Sequence, residues 1–139
     1  MKTNWSDIQE SKPFFWVMLK AWLKSKNAVP IIDDINNKHN QYVKVRFIES
    51  SKEQELSAEM LIEMFDELGF RLSVYFDKEN REALWGFSIW KQKLDFWYQA
   101  YVFDGYLPSR SVAVMMGIRK CIDEVDYGLN IESKEANFL

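Results

Sequence analysis

Residues 42 to 49, YVKVRFIE, alternate in character: Val43, Val45 and Phe47 fall on one side, Lys44 and Arg46 on the other. A period of two predicts a half-buried strand. The period then changes. Leu56, Met60, Leu61, Met64, Phe65 and Leu68 recur at helical spacing, with Glu59, Glu63, Asp66 and Glu67 on the outer side. Ser50 followed by Glu53 has the capping-box spacing of a helix start, and Gly69 is placed to end the helix. Three further strands are predicted: RLSVYFD, then ALWGFSIWK after the polar turn KENRE, then DFWYQAYVF after a turn near Gln92 to Leu94. Asp104-Gly105 supplies the next turn. A final helix follows, with Ser109 as its N-cap, Val112, Met115, Met116, Ile118, Ile122 and Val125 on its buried side, and Gly128 closing it. Gly117, inside that helix, costs roughly 1 kcal/mol against alanine and points to the close approach of another element, the sheet.

Upstream, Ser6 and Gln9 have the spacing of a second capping box and predict a short turn. Pro13 suits the first turn of a longer helix through about Lys26. In that helix Phe15, Leu19 and Trp22 form one stripe, while Phe14, Val17, Met18 and Ala21 widen the apolar face beyond it. The widening fits a helix packed on two sides, or one that offers a surplus face to a partner. Residues 27 to 41, with Pro30, read as a connection.

These elements predict an α+β fold over a single domain, residues 1–139: an antiparallel, aromatic-rich sheet of three to four strands packed with two to three helices. Its C-terminal part runs helix-strand-strand-strand-helix. Residues 1–41 form the helical segment and connection, 42–127 the sheet and helices, and 128–139 a frayed tail, because no apolar period is apparent past Tyr127. At 139 residues the chain is long enough to bury a core without staples. Aromatic residues make up 16%, including six Trp and ten Phe. Rings on both faces of the last two strands leave one face to be covered by the N-terminal helix, by a second subunit, or by a ligand.

Charge and chemistry narrow the picture. The net charge of −3 divides into +3 for residues 1–50 and −6 for the rest, and the acidic part argues against a nucleic-acid backbone as partner. Cys121 is the only cysteine, so no internal disulfide forms and a reducing, cytoplasmic compartment is expected. The longest apolar run, residues 13–23, is interrupted by Lys20 and is too short for a membrane span; no export signal is read before it. Asp33, Asp34 and His39 share a loop, but a metal needs three or four converging ligands, and no metal or cofactor is expected. A nucleophile elbow, paired-histidine helix, cysteine pair and glycine-rich nucleotide loop are all missing from the sequence, which argues against an enzyme. Ser109, Arg110 and Ser111 admit two readings: an ordinary helix cap, or an anion site formed from the free donors of the first turn with Arg110.

WGFSIW, then Tyr106, Ser109, Ala113, Gly117-Ile118 and Ile122, carry a likeness. On these residues the stretch 54–126 resembles a loose group of small uncharacterised proteins of gut-bacterial genomes and their phages. The resemblance implies a helix, an antiparallel aromatic sheet and a serine-opened final helix, and it implies no activity. The order helix, three strands, helix is also similar in topology to double-stranded-RNA-binding domains. Those domains open the final helix with lysines, where this chain has Arg110 alone.

The expected function is therefore that of a non-enzymatic accessory protein, phage- or mobile-element-derived by resemblance, acting on a protein partner or on itself as a homodimer. Phe14, Trp16 and Trp22 of the first long helix, and Tyr75, Trp90 and Trp97 of the sheet, are the candidate contact residues. An alternative is an acidic inhibitor or immunity-type protein using Glu59 and Glu63 against a basic site. A second alternative is weak binding of single-stranded nucleic acid by stacking on the sheet aromatics.

Overall fold

The computed structural model describes residues 5–33, 42–77 and 84–137. Its fold is α+β, with four helices and two three-stranded antiparallel sheets among the described residues. The elements are α1 (Trp5–Ser11), α2 (Pro13–Ser25), β1 (Ala28–Asp33), β2 (Tyr42–Phe47), β3 (Glu53–Glu55), α3 (Ala58–Glu67), β4 (Phe70–Asp77), β5 (Leu84–Lys93), β6 (Phe96–Leu107) and α4 (Arg110–Asn137). The chain divides into two compact units, one of residues 1–57 with 122–139 and one of residues 58–121. No helix among the described residues is long and apolar enough to cross a membrane.

In the first unit the sheet order is β1-β2-β3. Val43 and Val45 are buried and Arg46 is exposed, as the alternation of β2 requires. Two elements depart from the sequence reading. Residues 28–33, read as connection because of Pro30, form β1, an edge strand, where proline removes no ladder bond that the sheet needs. Ser50 and Glu53 do not cap a helix. The Lys52 amide donates to Ser50 Oγ at 3.3 Å within the β2–β3 turn, and Glu53 pairs across the strands with Arg46 at 2.6 Å, so α3 starts later, at Ala58. The predicted turn at Ser6 to Gln9 is a full helix, α1. The Ile8 carbonyl accepts from Lys12 at 2.8 Å, and Trp5 is buried at a tilt against Trp16 with centroids 6.5 Å apart. Phe15, Trp16, Leu19, Trp22 and Leu23 of α2 are buried, while Val17 is 60% exposed.

The N-terminal end of α2 is closed by α4. Pro13 occupies the first turn, and the Phe15 amide, in that same turn, donates to Asp126 Oδ1 at 3.0 Å. Asp126 is only 9% exposed, and one turn earlier Asp123 pairs with Lys12 at 3.3 Å. Two carboxylates therefore face the positive end of the α2 dipole. Contrary to the expected tail, α4 continues through Gly128 to Asn137. A Cβ at Gly128 would meet nothing within 4 Å, and Ile118, Ile122, Val125 and Leu129 keep a helical spacing past the predicted stop.

In the second unit the sheet order is β4-β5-β6. Gly69 ends α3 in the left-handed region at φ 86°, as predicted. The β5–β6 connection is two residues, Leu94 and Asp95, with Leu94 at φ 58°, a position leucine occupies at a steric cost. Asp104-Gly105 makes no turn: β6 runs on to Leu107. Gly117 of α4 lies against Leu72 of β4, whose Cδ1 would stand 2.4 Å from an added Cβ, so the sheet makes the close approach that the glycine announced. Lys120 of α4 covers the Tyr101 ring at 4.5 Å. Residues opposite one another across strands share a face. The face under α4 therefore carries Leu72, Val74, Phe87, Ile89, Tyr101 and Phe103, with Phe87 stacked on Tyr101 at 5.9 Å and on Phe103 at 5.5 Å. The KENRE turn, Asp34 and His39 lie outside the described residues.

Replacing Asp126 with alanine removes the charged acceptor of a buried hydrogen bond, a loss of about 2 kcal/mol. Chemical denaturation should show that loss for Asp126→Ala and a smaller one for Asp126→Asn, which keeps an acceptor; equal stability of all three proteins would contradict the cap.

Candidate functional site

The other face of β4-β5-β6 is built by the same alternation shifted by one residue. β4 contributes Arg71, Ser73 and Tyr75; opposite them β5 contributes Trp90, Ser88 and Gly86. On β6 the partners of Trp90 and Ser88 are Gln99 and Val102, and Trp97 lies opposite Gln92. Regular pairing would not allow both Gln99 and Val102 to share this side. The register shifts between Ile89 and Trp90, leaving Ala100 as the extra residue of a bulge, and the shift carries the aromatic pattern of β6 across it. Ser73 and Gln99 are exposed and Val102 is 42% exposed. The face is open to solvent.

Each ring on this face is tied to a polar group. At one end the Arg71 guanidinium lies 4.2 Å over the Trp97 ring while its Nε reaches Asp66 Oδ1 at 3.0 Å. Beside it Trp90 Nε1 donates to Ser88 Oγ at 3.1 Å, which satisfies a hydroxyl that is otherwise buried. At the opposite end a second bulge sets residues 104–106 of β6 against Gly86 alone, between the pairs Phe87–Phe103 and Trp85–Leu107. Tyr75 crosses this gap and donates its hydroxyl hydrogen bond to Asp104 Oδ1, two strands away. Gly86 makes the crossing possible: a Cβ there would stand 2.8 Å from Tyr75 Cζ and 2.7 Å from the Phe103 carbonyl oxygen. Burial, then the hydrogen bond to Asp104, then the negative charges of Asp104 and Asp77, push the Tyr75 phenol up to about 12. The phenol is therefore neutral over the ordinary pH range and keeps its proton, which it donates in the hydrogen bond to Asp104.

Tyr75, Trp90 and Trp97, nominated separately from sequence, are brought together on one face. The other candidates lie elsewhere. Trp16 and Trp22 are buried in the first unit and Phe14 is half-buried, with Lys26 Nζ 5.6 Å over Trp22. Glu59 and Glu63 are exposed on α3. Ser109 caps α4: its Oγ accepts from the Val112 amide at 3.2 Å and lies 3.1 Å from Ser111 Oγ, while Arg110 is exposed. Sequence reasoning missed Arg71, Gly86, Val102 and Asp104. The DG pair pointed to a turn, and nothing local signals a bulge that turns Asp104 toward a tyrosine 29 residues away. Among the described residues no group of three His, Cys, Asp or Glu side chains could hold a metal ion.

The arrangement offers flat ring surface, a methyl-bearing valine and short hydroxyls, with Arg71 at one end and Asp104 with Asp77 at the other. Such a face can bind. No family model, curated protein or solved structure matches this chain.

A phenol held above the ordinary 10.0 keeps its proton through the window in which the unfolded chain loses it, so the contact's stabilisation is complete below pH 10 and is lost as pH rises through about 12. In a titration of phenolate absorbance, one tyrosine should ionise at about pH 12 and Asp104→Asn should bring it down toward 10.0; an unchanged titration would contradict the contact.

Proposed function

We propose that this is a non-enzymatic accessory protein, phage- or mobile-element-associated by the resemblance of residues 54–126, that acts by docking another protein chain on the outer face of β4-β5-β6. The observation that carries the reading is the convergence of Tyr75, Trp90 and Trp97 on one solvent-open face around Val102, itself 42% exposed. Tyrosine and tryptophan supply large, rigid contact area at low entropy cost, and they are the residues enriched at the energetic centres of interfaces. The face carries one arginine among the rings and two aspartates at its far end, which suits a polypeptide of mixed charge better than a phosphate backbone.

Site-specific photocrosslinking in the native host tests this. A photoreactive residue in place of Val102 is expected to give a discrete protein adduct that survives nuclease treatment, and one in place of Glu63 on α3 is expected to give none. Adducts from position 63 alone would move the function to the acidic helix, and nuclease-sensitive adducts from position 102 would replace protein docking by base stacking.

A further inference from the structure

The outer face has an internal polarity that selects its partner. Three rows cross the strands: Arg71, Trp90 and Gln99; Ser73, Ser88 and Val102; Tyr75, Gly86 and, through the bulge, Asp104. Asp77 extends the third row on β4. The Arg71 guanidinium, shared with Asp66, stands at one end, the carboxylates of Asp77 and Asp104 at the other, and Ser73, Ser88 and Val102 lie between. We propose that the occupant of this face is a second copy of the chain, related by a twofold axis that lies in the plane between the two faces and crosses the strands at the Ser73–Ser88–Val102 row. The proposal rests on the docking reading above and names its partner.

The axis follows from charge and size together. Rotation about it keeps each strand over its own counterpart and reverses direction, so Arg71 of each copy comes over Tyr75, Asp77 and Asp104 of the other. Both sets of opposite charges then form twice, as an isologous interface requires. A twofold parallel to the strands would instead bring β4 of one copy over β6 of the other and set Asp104 near Asp77, a like-charge contact that disfavours that docking mode. The same rotation places Trp90 over Gly86, the one position in the third row without a side chain, which the Tyr75 ring crosses on its way to Asp104. Rings then meet rings across the interface, with the sheets at the spacing of about 10 Å usual for stacked sheets. Arg71 on Trp97, Trp90 on Ser88 and Tyr75 on Asp104 hold the contacting rings in place before docking, which lowers the ordering cost. Three strands about 4.8 Å apart make a footprint at the small end of specific interfaces.

A charge exchange between copies tests the arrangement. Sedimentation velocity of the full chain over a wide concentration range is expected to show a monomer–dimer equilibrium that Arg71→Glu and Asp77→Lys each weaken by about tenfold. An equimolar mixture of the two variants is expected to associate more tightly than either variant alone, because positions 71 and 77 then pair opposite charges in both halves of the interface and Asp104 facing the changed position 71 is the one like-charge contact left. Circular dichroism checks that both are folded, and Val102→Asp, at the exposed centre of the face, serves as a variant that abolishes the dimer without touching either charged end. Dimerisation indifferent to all three variants, or weakened by the single changes and no tighter in the mixture, overturns the twofold arrangement. A wild-type protein that stays monomeric overturns self-association. A crosslink from position 102 to a different protein would then still support the docking face, and the absence of any adduct there would remove that as well.

Discussion

A three-stranded sheet has two faces, and α4 lies on only one of those of β4-β5-β6. That constraint shapes the second unit. The covered face holds the stack of Phe87 with Tyr101 and Phe103, closed by Gly117 against Leu72. The uncovered face carries two tryptophans and a tyrosine, although burial of apolar surface is worth about 25 cal/mol per Å² and exposure forgoes it. Serines, glutamine and charged groups at the positions between the rings keep this face compatible with water.

The way the rings are held makes the face a prepared surface. Each indole or phenol has a partner of its own, Arg71, Ser88 or Asp104. None of these contacts needs to be broken for another chain to settle on the exposed sides of the rings. The bulges of β6 contribute twice, by turning Gln99 and Val102 to the same side and by bringing Asp104 within reach of Tyr75. They also irregularise a long edge strand whose one charged residue is Asp104, a common protection against edge-to-edge pairing. The face of the sheet rather than its edge is therefore the surface on which docking is proposed.

Much of the secondary structure was legible because period and punctuation agreed. The alternation of β2, the stripe of α3 ended by Gly69, the N-cap Ser109 and the close approach at Gly117 all stand as their residues indicated. The misses have local causes. Pro30 disguised an edge strand. Ser50 and Glu53 hold a tight turn and a cross-strand ion pair with the same spacing a capping box would use. Gly128 was weighed above the apolar positions Val125 and Leu129 that carry α4 onward. At the candidate site the three rings were legible as residues, but their convergence was not, because it depends on the register of β5 against both neighbours and on two bulges that leave no mark in the local sequence.

The central claim is that the outer face is open in the isolated chain and ready to be covered. The most direct measurement is the effect of a soluble paramagnetic probe on side-chain nuclear resonance signals in a dilute, monomeric sample. The Val102 methyl and Gln99 amide signals should broaden strongly, and the Ile89 methyls, buried on the opposite face, should not. Val102 as well protected as Ile89 under those conditions would mean that the chain already covers this face itself, and would contradict the account.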